Sequence, residues 1–423
     1  MPDPAEAVVP ALHWLASLAP TRLTGTEGER AAHDAIAERL ERSGGGARYE
    51  VERRPFRFPR HIYGSLALHF GLALALAAAP LVGAPGWVAA IGHLVVAFSF
   101  YSEAVRRRHV LRKLWPSVRT RNLLVTRRAT APLRRRVVLL AHVDSAFTGL
   151  MFHPPILKWI AAPPPRALPF LGKQLLLPFA SLFALAAVEL LGVAPGWITL
   201  ALSVPALLVF VINAEIVVRN QPVPGAADNL TGCAALVALA EAWAERDVPD
   251  DVELVFAFTG AEEAGTGGAA HLARTMGWER ERTAVFALDT LSNGRLFMLE
   301  EGELFRVPIP GALAAEVRGA ARDAGLPEPA RYPVPAGGTD ALPFLVEGYD
   351  ALALTCIDPE QHAPRNYHHP DDTADRVDPA QLRDSTRLAD RLLARLLAAE
   401  ADGPHSRGAG PATNRADAAI STP

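Results

Sequence analysis

Arg136-Val-Val-Leu-Leu-Ala-His-Val-Asp144 is the stretch whose reading decides the fold. From Val137 to Ala141 the run is apolar without polar alternation, the pattern of a strand covered on both faces. His142 and Asp144 follow at its carboxyl end, where open α/β sheets gather their functional groups. Three further runs read the same way: Val252 to Thr259, Thr283 to Leu288 and Ala351 to Cys356. Helical patterns lie between and after them, at 231–245, 311–324 and 379–400. This alternation predicts an α/β fold: a mainly parallel or mixed central sheet with helices on both faces. Upstream, 6–19 and 26–43 read as amphipathic helices, the second closing at Gly44-Gly45-Gly46, and Arg48 to Phe58 alternates like a strand.

Two apolar blocks interrupt this pattern. Tyr63 to Tyr101 contains no Asp, Glu, Lys or Arg and is broken by Ala84-Pro85-Gly86-Trp87. Leu175 to Ala214 carries one acidic residue, Glu189, and is broken by Ala194-Pro195-Gly196-Trp197. Each half holds roughly 15–20 apolar residues, near the ~20 that span a bilayer. The repeated Ala-Pro-Gly-Trp suits a tight helical turn with an interfacial Trp. Two transmembrane hairpins, four helices in all, are therefore expected, with the lipid bilayer as a partner. Burial as core helix pairs, or hairpins that only dip into the membrane, are the competing readings. The α/β unit then comes in three pieces, 1–62, 102–174 and 215–400, around hairpins at 63–101 and 175–214. The tail, 401–423, is rich in Gly, Pro, Ser and Ala and is expected to be disordered.

The net charge of −3 gives no global basic field, which argues against nucleic acid as a partner. Cys233 and Cys356 are too few for a disulfide framework or a thiolate metal site. Met1 to Pro10 is acidic and lacks the basic start and apolar run of a signal peptide. Basic residues crowd the ends of the apolar blocks instead: Arg53, Arg54, Arg57 and Arg60 before the first, Arg106, Arg107, Arg108, Arg112 and Lys113 after it. Lys173 and Arg219 flank the second, and the tips around Pro85 and Pro195 carry no Lys or Arg. The positive-inside bias places the α/β unit in the cytoplasm.

Acidic residues and histidines sit where chemistry would need them. Glu262-Glu263 follow the strand 252–259, Asp289 ends the strand 283–288, and Asp228 precedes the helix 231–245. His368 lies in the polar turn Asn366-Tyr-His-His-Pro-Asp-Asp-Thr373. Two imidazoles and three carboxylates are a natural set for two zinc ions, with one carboxylate bridging. Of the adjacent pair Glu262 and Glu263, one would bind metal and the other stay free as a base. Singly, each piece has a plainer reading: a strand-end cap, a solvated pair, or Asp-Asn capping the helix near Thr231. The joint pattern carries the metal reading.

In their order these words resemble the aminopeptidase Y and glutamate carboxypeptidase family of two-zinc peptidases. The resemblance rests on Arg22-Leu-Thr-Gly-Thr-Glu-Gly-Glu-Arg30, Asn122-Leu-Leu-Val, Leu139-Leu-Ala-His-Val-Asp-Ser145 and Gly225-Ala-Ala-Asp-Asn. It continues through Phe258-Thr-Gly-Ala-Glu-Glu-Ala-Gly265, Leu288-Asp289, Gly338-Thr-Asp340 and the Tyr-His-His-Pro-Asp-Asp-Thr turn. Roughly residues 11–60, 118–148 and 220–398 are covered. The resemblance implies one zinc on His142 and Asp289, the other on Glu263 and His368, with Asp228 bridging. It further implies Glu262 as general base and Asp144 as the residue that orients the His142 imidazole. His368 is chosen over His369 because the family places its ligand four residues before an Asp, here Asp372.

The chain departs from the family in three places. His142 and Asp228 are 228 − 142 = 86 residues apart, a gap that the second apolar block fills, and a long loop closes at little extra entropic cost. Ala264-Gly-Thr-Gly-Gly268 replaces the usual Gly-Leu-x-Gly-Ser, and Ala341 stands where His is common.

The expected activity is that of a membrane-anchored zinc exopeptidase, above all an aminopeptidase, acting on a peptide substrate. A deacylase or carboxypeptidase of the neighbouring two-metal family is the alternative, although that family's inserted dimerisation domain has no counterpart here. A non-catalytic membrane protein on a peptidase fold would have lost ligands, and all five are present.

Overall fold

The computed structural model of the chain describes residues 3–42, 49–164, 172–192, 196–335 and 337–398. The Gly44 to Gly46 stop, the Ala194-Pro195 tip and the tail 401–423 lie outside these. Among the described residues one eight-stranded sheet runs in the order β1-β2-β4-β3-β5-β8-β6-β7. Its strands are β1 (Glu50–Pro59), β2 (Ser117–Arg127), β3 (Arg135–His142), β4 (Val252–Thr259), β5 (Thr283–Asp289), β6 (Arg295–Glu300), β7 (Ala330–Pro333) and β8 (Asp350–Ile357). The centre, β4-β3-β5-β8, is parallel, and β1, β2 and β6 add antiparallel neighbours, so the sheet is mixed.

Alternation along β3 explains the layers. Val137, Leu139 and Ala141 pack toward α1 (Pro4–Leu18), α2 (Glu27–Arg42), α8 (Thr231–Glu245), α10 (Gly311–Asp323) and α12 (Pro379–Ala398). Val138 and Leu140 point the other way, toward α9 (Gly267–Thr275) and α11 (Ala341–Val346). Because both faces are covered, the core strands read as largely apolar runs, β4 being interrupted by Glu253, which pairs with Arg136 of β3.

The apolar blocks form four helices: α3 (Ile62–Ala78), α4 (Gly86–Ala104), α6 (Leu176–Leu191) and α7 (Gly196–Arg219). A short helix, α5 (Pro154–Ala161), precedes the second pair. Each hairpin packs more closely on the other than on itself: α3 runs along α7 and α4 along α6. Gly71 permits the first approach, since a Cβ there would lie 2.9 Å from the Phe210 ring. Ile62–Val82, Gly86–Ala104 and Gly196–Arg219 are long and apolar enough to cross a membrane. The 16 residues of α6 extend only about 24 Å at ~1.5 Å per residue, short of a ~30 Å hydrocarbon core. Glu189, the lone acidic residue of its block, reaches across to His93 Nδ1 at 2.8 Å and ties α6 to α4.

Candidate active site

Parallel pairing brings the strand ends together. His142 lies beside Thr259, and Asp289 beside Thr355, so the loops after β3, β4 and β5 open on one edge. The turn before α8 supplies Asp228, and the turn between β8 and α12 supplies His368. All seven residues singled out in the sequence meet here, with His142, Asp144, Asp228 and His368 buried and Glu262, Glu263 and Asp289 half-buried.

Asp228 is the centre of the group. Its Oδ1 lies 3.2 Å from His142 Nε2 and its Oδ2 3.4 Å from His368 Nε2. Beyond them, His142 Nε2 is 3.8 Å from Asp289 Oδ2, and His368 Nε2 is 3.2 Å from Glu263 Oε2. Glu262 Oε2 stands 3.9 Å from His142 Nε2. A tetrahedral zinc with bonds near 2.1 Å holds its ligand atoms roughly 3.4 Å apart, so these separations fit shared cations. Three overlapping groups have donor atoms within 4.8 Å of one another: His142–Asp228–Asp289, Asp228–Glu263–His368 and His142–Glu262–Glu263. His369 is turned away, its Nδ1 accepting the Asp371 N–H at 3.2 Å.

The electrostatics point the same way. Enclosure pushes the Glu262 carboxyl well above the usual range, with Glu263, Asp340 and Asp289 adding to it against His142. Burial and then Asp228 push Asp289 up to about 7. Against its burial, His368 is raised to about 10 by Glu263 and Asp228. Four carboxylates around two imidazoles leave an excess of enclosed negative charge, which bound cations would neutralise.

The surrounding hydrogen bonds revise one expectation. The Asp144 carboxylate was expected to orient the His142 imidazole, but its Oδ1 is 3.8 Å from Nδ1. The partner of His142 Nδ1 is the backbone carbonyl of Asp144, at 3.0 Å. The carboxylate instead accepts the N–H groups of Glu262 and Glu263, at 3.0 and 3.1 Å, and the Thr24 hydroxyl at 2.8 Å. Two consecutive amides and a hydroxyl thus occupy the Asp144 carboxylate, leaving the ring to the backbone carbonyl.

Several residues escape a reading of motifs. Asp372 accepts the N–H groups of Ala227 and Asp228, at 2.7 and 3.1 Å. Asn229 donates to Leu288 O at 2.9 Å and accepts the N–H groups of Gly232 and Thr290, so it caps α8 and also ties that turn to the end of β5. The Asp228–Asn229 peptide bond is cis. Arg22 is buried and donates to Val143 O at 2.9 Å and Gly225 O at 2.8 Å. Thr259 donates to Asp340 behind the Glu262 loop. Tyr63, from the first turn of α3, lies 3.0 Å from His368 Nδ1, while Phe152 and Tyr367 pack on the same ring at 4.5 and 3.9 Å. The Asp four residues after His368 and the Asn beside Asp228 carried a usable signal; Tyr63 carried none.

The model of peptidase family M28 matches residues 211–393. That span holds Asp228, Glu262, Glu263, Asp289 and His368, and the fold adds His142 and Asp144 from outside it. A zinc aminopeptidase from Bacillus subtilis is 14% identical with a TM-score of 0.56, over 94% of this chain and 96% of that one. A Zn-dependent exopeptidase from Parabacteroides distasonis is also 14% identical, with a TM-score of 0.55 over 92% and 97%. Glutaminyl cyclase from Bacteroides thetaiotaomicron matches at 14% and a TM-score of 0.54, over 92% and 96%. Comparison with curated protein sequences gives no significant match. The chain thus has the zinc-aminopeptidase fold.

Proposed function

We propose that a chain with this fold is a membrane-anchored zinc exopeptidase that removes N-terminal residues from peptides. The observation that carries this reading is the Asp228 carboxylate lying between two imidazoles, one oxygen toward each, with a further carboxylate beside each ring. In this reading His142 and Asp289 would hold one zinc ion and Glu263 and His368 a second, with Asp228 shared between the two sets. Bound there, zinc supplies Lewis acidity toward a substrate carbonyl and toward water.

The chain's own groups do the rest. Glu262 takes a proton from water and returns it to the leaving amine. Its enclosure beside other carboxylates raises its proton affinity, which suits a group that must both accept and release. Asp144, by holding both N–H groups of the Glu262-Glu263 pair, fixes the base relative to the ligand that follows it. The exposed apolar side chains of the bundle, among them Leu81, Val82, Trp87, Leu190 and Trp197, would face lipid.

Metal analysis of the detergent-purified protein, with a panel of aminoacyl-nitroanilides, tests this reading. About two zinc per chain are expected, and chelation should abolish activity. A fully active preparation without transition metal would refute it. Acylated amino acids and C-terminally free peptides in the same panel separate deacylase and carboxypeptidase activity, the second reading left by the shared ligand set. An N-terminal glutaminyl peptide separates hydrolysis from cyclisation, the reaction for which two of the similar structures are named.

A further inference from the structure

We infer that the apolar bundle is part of the active site as well as its anchor, and that Tyr63 is the positioning residue through which it acts. This rests on the reading of His368 as a metal ligand. The two site imidazoles are oriented from different places. His142 Nδ1 finds its partner two residues away, the Asp144 carbonyl. His368 Nδ1 finds its partner 305 residues away, the hydroxyl of Tyr63 on the first turn of α3. With Nε2 given to a zinc ion between Asp228 and Glu263, Nδ1 would carry the proton, so the ring would donate and the Tyr63 oxygen accept. A hydrogen bond of this kind fixes both the tautomer and the tilt of a ligating imidazole.

Tyr63 is itself held by the bundle. It is buried in a cluster with Phe147, Phe152 and Ile216, so both α3 and α7 decide where its hydroxyl lies. A second strut runs beside it. Ser65 donates to Glu103 at the end of α4, at 2.9 Å, and Glu103 pairs with Arg112 at 3.1 Å. Arg112 in turn donates to the carbonyl of Ala264, the residue after Glu263. Both bundle contacts therefore reach the same half of the site, the side of His368 and Glu263. The His142 and Asp289 half is held from within the α/β domain.

The consequence is an asymmetry between the two cation positions that the bundle alone creates. Full-length protein in detergent micelles, titrated with zinc against a competing chelator, reads it directly. Wild type should take up two ions. Tyr63→Phe should bind the first as wild type does and the second about 10–100-fold more weakly. Unchanged affinity for both ions overturns the inference. So does an equal loss at both positions together with a lower zinc-free melting temperature, which would mark Tyr63 as a packing residue only. A wild type that binds no zinc would instead refute the reading of the site itself. If Tyr63→Phe does not fold, nitrogen-15 histidine spectra of zinc-loaded wild type decide, with His368 assigned from His368→Gln. A slowly exchanging proton on His368 Nδ1 supports the inference, and a rapidly exchanging one overturns it.

Discussion

Asp144 and Asp372 do the same work on two different turns of the site. Each presents a buried carboxylate to two consecutive backbone N–H groups, those of Glu262 and Glu263 in one case and of Ala227 and Asp228 in the other. Neither reaches a ring. They hold the two turns that carry the Glu262-Glu263 pair and Asp228. Glu262→Gln should lower turnover by about 10²–10⁴ with bound zinc unchanged. Glu263→Gln should lose zinc; equal metal loss in both would reverse the two roles. The pH dependence of stability follows from the same crowding. Asp289, at about 7 through burial and Asp228, and His368, at about 10 against its burial and through Glu263 and Asp228, lie above their unfolded values. Through these two groups the zinc-free folded chain binds more protons than the unfolded chain between roughly pH 4 and 10, so the stability they contribute falls as pH rises through that window. His33 and His61, which burial holds at about 4, oppose it below the ordinary histidine value. Asp228, held low by its two imidazoles despite burial, acts in the opposite sense, but only as pH falls below the usual carboxylate range. Zinc needs these groups deprotonated, and its stabilisation grows with pH. The melting-temperature gap between zinc-loaded and chelator-treated protein should widen from about pH 5 to 8, and a constant gap would show that the shifted groups are not ligands.

At the scale of elements, burial decides what can be read in advance. β3, β4, β5 and β8 are covered on both faces, so each announces itself as an apolar run, and helices with one apolar stripe do the same. β2 hides because its first half pairs only with the edge strand β1, leaving Arg119 and Arg121 on its face. β6 and β7 are short and sit at the far edge, where little apolar area is needed. For the site, residues fixed by their own strand end were legible, while Tyr63 was not, because an apolar stretch reads as lipid-facing until its partner 305 residues away is known. The pairing of the helices is likewise invisible locally. His93 and Glu189 lie in separate blocks, yet Glu189 Oε2 meets His93 Nδ1, while its Oε1 has no partner. His93→Leu therefore leaves the Glu189 carboxyl without a partner among apolar helices, at a cost of about 1–3 kcal/mol. Thermal melting in micelles should show that loss, and the double variant His93→Leu with Glu189→Leu should recover most of it. No recovery would mean that His93 matters for its packing and its bond to the Ala73 carbonyl.

For the whole molecule the open matter of chemistry is which compartment the site faces. Each apolar block leaves the α/β domain and returns to it, so in a bilayer His142, Asp228, Glu262, Glu263, Asp289 and His368 would share one side whichever way the chain inserted. Orientation rests on the basic residues at the bundle's domain end, and the structure reduces their number. Arg107 is buried against Glu303 and Arg112 against Glu103, so both serve the fold instead of the lipid surface. Arg57, Arg106, Arg108, Lys113 and Arg219 remain exposed near the helix ends in sequence. A cluster of this size, facing tips whose described residues carry no Lys or Arg, still favours a cytoplasmic catalytic domain. Cysteine labelling in intact cells tests it against a quiet background, since Cys233 and Cys356 are both buried. Gly86 is a poor reporter, because a Cβ there would lie 2.5 Å from the Glu189 carbonyl. Val82, 87% exposed at the tip of the first hairpin, accepts a new side chain without such a clash. Val82→Cys should react with a membrane-impermeant maleimide from outside, and Asp247→Cys, exposed on the catalytic domain, only after permeabilisation. The reverse pattern would put the peptidase site outside the cell. Protection of both positions would mean hairpins that enter the bilayer without crossing it, as the short α6 would permit.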